Sequence, residues 1–281
     1  MIQPPLLGVM VVFAGLFGLV IGSFLNVVIA RVPAGVPLTR ESRCPTCDAP
    51  IRAWQNVPVI SWLALRGRCA SCKAPISARY PLVELATGVV FALVTWYLVA
   101  ATPFVVTGGP AGAWQLAIVV VAYLYFAAIS IALTAIDLDT RRLPNGIVLP
   151  SYLVSGALLT AASALGGDWS ALARAAIGGA ALFAFYFLLR VIRPAGMGGG
   201  DVKLAGLIGL NLAWLGWGTL VVGAFAAFLL GGLFGVILLL ARRAGRKTAI
   251  PFGPWMIAGA WVGIAAGEPI ARWYTELLPT P

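Results

Sequence analysis

The sequence predicts an all-α membrane protein of about eight transmembrane helices that carries a four-cysteine, zinc-type loop on its cytoplasmic side. Three observations predict it. The 281-residue chain is 61% hydrophobic and only 10% charged, its mean hydropathy is +0.97, and its basic residues gather in alternate connections. Composition of this kind lies outside the soluble range, and a helix needs about 20 apolar residues to cross the hydrocarbon core.

Apolar runs of that length place helices at 6–30, 81–101, 113–136, 146–166, 171–192, 201–214, 219–241 and 252–267. The first follows MIQPPLLG, which has no basic n-region, and leads to Arg31 rather than an A-x-A cleavage site, so it reads as a retained helix. The sixth is the shortest, separated from the seventh only by Leu215-Gly216-Trp217-Gly218, where a broken or re-entrant segment would change the topology beyond it. Extramembrane mass is confined to residues 31–80. No tandem repeat stands out. The expected division is therefore a first helix at 1–30, a loop domain at 31–80 and a membrane domain at 81–281.

The net charge of +10 would suggest a nucleic-acid partner in a soluble chain. Here, with the N-terminus outside, only Arg174 and Arg272 of the 19 basic residues fall outside. The rest, including Arg242, Arg243, Arg246 and Lys247, lie inside. That asymmetry supports both the orientation and an even helix count, and the bilayer, with no nucleic acid, accounts for the charge.

The chain has no histidine, which removes Ser-His and Cys-His nucleophiles and H-E-x-x-H metal sites. A Ser-Lys dyad working outside fails too, because Lys73, Lys203 and Lys247 all map inside. Carboxylates remain for acid-base chemistry. Of nine acidic residues, Glu84, Asp137, Asp139 and Asp201 fall at cytoplasmic helix ends, where an ionisable group flanked by apolar runs is costly and usually functional.

Asp137 closes the apolar run AAISIALTAI and opens D-L-D-T-R-R-L-P-N, in which Arg141, Arg142 and Pro144 mark a turn back into the membrane. Asp201 follows Gly198-Gly199-Gly200 at the mouth of the next hairpin but one. Two carboxylates that meet share a proton, so one can take a proton from water while the other donates to a scissile carbonyl. This is aspartic protease chemistry, and the glycines leave room for an extended peptide. Each residue also has a purely structural reading: Asp201 as a helix cap, Asp137 as a partner of Arg141 or Arg142. Asp139 competes with Asp137, since two residues apart on a helix point to nearly opposite faces. A transporter using the same carboxylates beside a broken helix is the rival reading, although it gives the cysteines no role.

Cys44-Pro-Thr-Cys47 and Cys69-Ala-Ser-Cys72 form two C-x-x-C knuckles separated by 21 residues. On the cytoplasmic side disulfides are disfavoured, and a four-cysteine zinc site closed to water, hence structural, is the expected use.

Together these blocks resemble the type IV prepilin peptidases, the GxGD aspartic proteases also called type 4 prepilin leader peptidases. The resemblance runs through Gly22-Ser23-Phe24-Leu25-Asn26-Val27-Val28-Ile29, both knuckles, Asn56-Val57-Pro58-Val59-Ile60-Ser61-Trp62 and Arg79-Tyr80-Pro81-Leu82-Val83-Glu84. It continues through Asp137-Leu138-Asp139, Leu143-Pro144-Asn145, Gly198-Gly199-Gly200-Asp201-Val202-Lys203 and Ile250-Pro251-Phe252-Gly253-Pro254. It implies Asp137 and Asp201 as catalytic, with Asp139, Gly198, Gly200, Lys203 and Glu84 supporting. It further implies prepilin or pseudopilin substrates of type IV pili and type II secretion, cut at the cytoplasmic face of the bacterial inner membrane. Relatives with the cysteine loop also methylate the new N-terminus with S-adenosylmethionine. No G-x-G-x-x-G unit marks a site for that cofactor, and Glu84 is the residue assigned to that half.

Overall fold

The structure is a computed structural model describing residues 4–101, 110–194, 196–241 and 251–277. Among these residues the chain is helical and has no sheet: α1 (Pro4–Arg31), α2 (Ile60–Ala64), α3 (Arg79–Trp96), α4 (Pro110–Thr140), α5 (Asn145–Gly166), α6 (Trp169–Ile192), α7 (Gly199–Leu215), α8 (Trp217–Leu240) and α9 (Gly253–Glu276). All but the five-residue α2 stand where the apolar runs predict them. Six of them, α1, α3 with its continuation, α4, α5, α6 and α8, are long and apolar enough to cross a membrane. α7, at 17 residues, and α9 fall short, so the expected count of about eight is an approximation. Arg242, Arg243, Arg246, Lys247 and Ile250 lie outside the described residues.

The largest boundary differences have local causes. α4 runs on through Asp137 and Asp139 to Thr140, ending where Arg141 takes the left-handed region (φ 54) and donates its N–H to the Asp137 carbonyl at 2.8 Å. α9 continues nine residues past its apolar run. The polar residue that ends that run, Glu268, accepts the Thr219 N–H at the start of α8 at 3.3 Å.

The chain divides into two compact units, residues 1–106 with 119–135, and residues 107–118 with 136–281. In the first, α1 packs on α3 through small residues: a Cβ at Gly18 would lie 2.8 Å from the Gly88 Cα, and one at Gly22 would lie 2.6 Å from the Glu84 Cα. Without a hydrophobic drive between helices in lipid, such close backbone contact is what holds them. Arg31, ending α1, donates to the carbonyls of Leu38 (2.9 Å) and Arg40 and to the Ser42 hydroxyl (3.1 Å), folding the loop back over the helix end.

The loop does contain a repeat, contrary to expectation. Arg43-Cys44-Pro-Thr-Cys47-Asp48-Ala49-Pro50-Ile51 and Arg68-Cys69-Ala-Ser-Cys72-Lys73-Ala74-Pro75-Ile76 share the pattern R-C-x-x-C-x-A-P-I. They also share a backbone. In each, the first cysteine's N–H reaches the Ala carbonyl (Cys44 to Ala49, 3.0 Å; Cys69 to Ala74, 2.8 Å), its carbonyl takes the N–H four residues on, and that fourth residue has positive φ (Asp48, 55; Lys73, 60). The repeat is one turn long, too short to register as a domain-scale period.

In the second unit α7 is the central helix, touching α5, α6, α8 and α9, with most of its residues buried. Glycines again set the approach: a Cβ at Gly263 of α9 would lie 2.5 Å from the Thr219 carbonyl oxygen of α8. α7 stops at Leu215 because Arg174 donates to the carbonyls of Ala213 (2.6 Å) and Trp214 (2.7 Å), closing two groups that a helix end leaves open. At the same end, the Ser170 hydroxyl and Ala171 N–H bind the Asp168 carboxylate that caps α6 and hold its pKa below the usual range.

Candidate active site

Asp137 and Asp201 reach the site as helix caps on different helices. Asp201 occupies the third position of α7, and its Oδ2 accepts the Gly198 N–H at 3.0 Å. Asp137, in the last turn of α4, sends its Oδ2 to the Gly253 N–H, the first residue of α9, at 3.1 Å. Each carboxylate therefore sits at the positive end of a helix dipole. The two are close enough that the charge on Asp137 is felt at Asp201. Asp137 is only 4% exposed. The Oδ1 of each has no protein donor among the described residues and remains for water or substrate.

The turn after α4 closes the site. Leu143 packs between the two helix starts: a Cβ at Gly200 would lie 2.9 Å from its Cβ, and one at Gly253 would lie 3.5 Å from its Cδ1 and 2.7 Å from the Asp137 Oδ2. Gly198 has a similar constraint, its would-be Cβ being 2.8 Å from the Asp201 Oδ2. Hydrogen would be tolerated at these positions, and a methyl group would push a carboxylate or Leu143 aside. Lys203 supports the site from behind, its Nζ donating to the Asn145 Oδ1 at 2.9 Å and its carbonyl accepting the Tyr152 hydroxyl at 2.6 Å, which binds α7 to α5.

Of the expected site residues, Asp137, Asp201, Gly198, Gly200 and Lys203 are gathered in this one unit. Asp139 is exposed on the opposite side of α4 from Asp137, as a two-residue helical separation requires. Glu84 and the four cysteines belong to the first unit. Sequence reasoning assigned no task to Gly253, Leu143 or Tyr186. The Tyr186 ring is 1% exposed, packs 6.3 Å from Phe252 and 5.5 Å from Phe228, and lies within reach of the Asp201 charge. The Phe252-Gly253-Pro254 string was the available signal, a glycine then a proline opening a helix.

In the first unit the four Sγ atoms of Cys44, Cys47, Cys69 and Cys72 lie within 4.8 Å of one another, and those of Cys44 and Cys72 are 3.9 Å apart. A tetrahedron with metal–sulfur bonds of about 2.3 Å needs sulfurs about 3.8 Å apart, so the set fits one ion. The thiols are free of disulfides. Backbone N–H groups of Thr46 and Cys47 hold the Cys44 thiol down to about 6, and those of Cys72 and Ser71 lower that of Cys69. The first cysteine of each knuckle is thus prepared as the thiolate a metal requires.

Two family models match the chain, the bacterial peptidase A24 N-terminal domain over residues 16–98 and the type IV leader peptidase family over residues 124–236. Curated relatives named prepilin leader peptidase/N-methyltransferase align along almost the whole length. That of Stutzerimonas stutzeri is 36% identical, covering 95% of this chain and 94% of the relative. That of Neisseria gonorrhoeae is 37% identical over 92% and 91%, and that of Pseudomonas aeruginosa 34% over 93% and 92%. No solved structure matches.

Proposed function

The chain belongs to the type IV leader peptidase family, and from that premise we propose that Asp137 and Asp201 are the catalytic pair of a bifunctional membrane enzyme. It is a protease that removes the leader of prepilins or pseudopilins and a methyltransferase that modifies the new N-terminus. The observation that carries the assignment is the convergence of two buried or half-buried carboxylates, each capping a helix and each keeping one oxygen open. The transporter reading has no support in the family or in the cysteine loop.

In the proposed reaction a water lies between the two Oδ1 atoms. One carboxylate takes its proton as the oxygen attacks the scissile carbonyl carbon, and the other, protonated, donates to the carbonyl oxygen. Collapse of the tetrahedral intermediate breaks the C–N bond, the proton held by the first aspartate passes to the leaving amine, and the second aspartate takes back a hydroxyl proton as the new carboxyl forms. The charge that develops meets two helix N-termini already aimed at the pair, so little reorganisation is required. Gly198, Gly200 and Gly253 keep the walls low enough for extended substrate backbone.

The four cysteines hold zinc as a structural ion, since a set with four protein ligands leaves no position for water. S-adenosylmethionine, when bound, supplies the methyl group to the exposed α-amine. The enzyme resides in the bacterial inner membrane with this site on the cytoplasmic side, which the distribution of basic residues supports.

The test is purified protein incubated with a prepilin-like peptide, with and without S-adenosylmethionine, with product masses recorded. Asp137→Asn and Asp201→Asn should each lower cleavage by roughly 100- to 10,000-fold while melting temperature and metal content stay unchanged. Cleavage at the wild-type rate by either variant would overturn the pairing.

A further inference from the structure

We propose that the cavity between the cysteine loop and the α1–α3 pair is the seat of S-adenosylmethionine, with Glu84 and Asn26 as its polar floor. The proposal rests on the methyltransferase reading and goes beyond it by giving that activity a site. The cavity lies wholly within the first unit, encloses about 560 Å³, and is bounded by helix residues Ser23, Asn26 and Glu84 below, by Trp62 and Tyr80 at the side, and by the knuckles above. That volume is within the range of pockets for drug-sized ligands, about 300–1,000 Å³.

Glu84 is the feature that asks for a ligand. It is 8% exposed, sits where α1 and α3 come closest at Gly22, and has no cation paired with it among the described residues. Its Oε2 accepts the Val59 N–H at 2.7 Å, leaving Oε1 without a protein donor. Val59 makes that bond from φ 62, ψ −50, a region that costs a β-branched residue dearly. Strain of this kind persists where the surrounding structure holds a site in shape. Asn26 has the same arrangement in miniature: its Nδ2 donates to the Tyr80 carbonyl at 3.1 Å, and its Oδ1 stays open as an acceptor. By contrast, the nearby Arg31 has its guanidinium committed to loop carbonyls and offers an anion little.

The floor is therefore acceptor-rich and anionic, with aromatic rings beside it. S-adenosylmethionine carries a sulfonium and an α-ammonium, donates from two ribose hydroxyls and has a flat purine, so its donors and positive charges match Glu84 and Asn26, and its purine matches the rings. A phosphate-bearing nucleotide would bring net negative charge to Glu84 and is disfavoured, whereas the one carboxylate of S-adenosylmethionine is outweighed by its sulfonium and ammonium. The methyl-accepting α-amine of the processed peptide is the other cation of suitable chemistry, and the experiment separates the two.

The full-length enzyme in detergent is photocrosslinked with radiolabelled S-adenosylmethionine and the labelled peptide mapped, and equilibrium binding of the same compound is measured for wild type, Glu84→Gln and Asn26→Ala. The expected label falls within residues 23–84, which bound the cavity, and Glu84→Gln weakens binding about tenfold to hundredfold, the usual effect of losing a hydrogen bond to a charged acceptor. Asp201→Asn should bind as wild type does. Wild type that binds no S-adenosylmethionine would overturn the methyltransferase reading itself. Wild type that binds, but labels outside this segment, would overturn the site alone, and so would unchanged affinity in both variants. Label displaced by processed pilin peptide, with Glu84→Gln affecting only the peptide, would assign the cavity to the acceptor instead. The mapping needs no variant and so stands if Glu84→Gln does not fold.

Discussion

Asp137 and Asp139 carry the same side chain two positions apart, and what separates them is orientation alone. Composition and the missing histidine singled out the pair, but the sequence pattern could not choose between them because helical phase near a turn depends on where the helix ends. α4 runs through both, so Asp137 turns inward to Gly253 and Asp139 outward. The role of Gly253 was illegible for a different reason: its partner is 116 residues distant in sequence, and no local period joins them. Gly253→Ala tests that contact. Its Cβ would meet the Asp137 Oδ2 at 2.7 Å, and displacing a catalytic group by a fraction of an ångström to an ångström lowers rate by up to about 100-fold. A steady-state cleavage assay should show the loss chiefly in kcat.

At the scale of elements, four acids of the second unit have a common use. Asp168 caps α6, Asp201 α7, Glu268 α8 and Asp137 α9, each carboxylate placed at a positive helix end. The proposed catalytic role is thus compatible with capping, and what distinguishes Asp137 and Asp201 is that their two caps converge. Sequence spacing made the knuckles legible as a metal set because ligand geometry constrains that spacing directly. Their wider repeat, R-C-x-x-C-x-A-P-I, was lost among single residues outside the C-x-x-C motifs. Since both halves make the same turn, removing a ligand from either should have the same result: elemental analysis should find one zinc ion per wild-type chain and well below one in each of Cys72→Ser and Cys47→Ser. The helical signal of the membrane helices in circular dichroism should persist, because those helices are held by glycine-mediated contacts of their own.

For the whole molecule the legible quantity was the placement of the helices along the chain. Apolar runs located every long helix among the described residues, because they follow from the bilayer and not from tertiary contacts, and charge asymmetry supplies the orientation proposed for them. Alkaline phosphatase fused after Gly167 should be active, and fused after Arg141 inactive, with at least about a tenfold difference in cells expressing equal amounts; the reverse pattern would invert the assigned orientation. The shortness of α7, which made it the least secure element to read from sequence, has a physical consequence. Its 17 residues rise about 25 Å, less than the roughly 30 Å of hydrocarbon, and Arg174 seals its far end at that length. Surrounded by four helices, α7 relieves this hydrophobic mismatch through protein and not through lipid. Asp201, in the first turn of that helix, therefore sits in the core of its unit, where a peripheral helix would meet lipid.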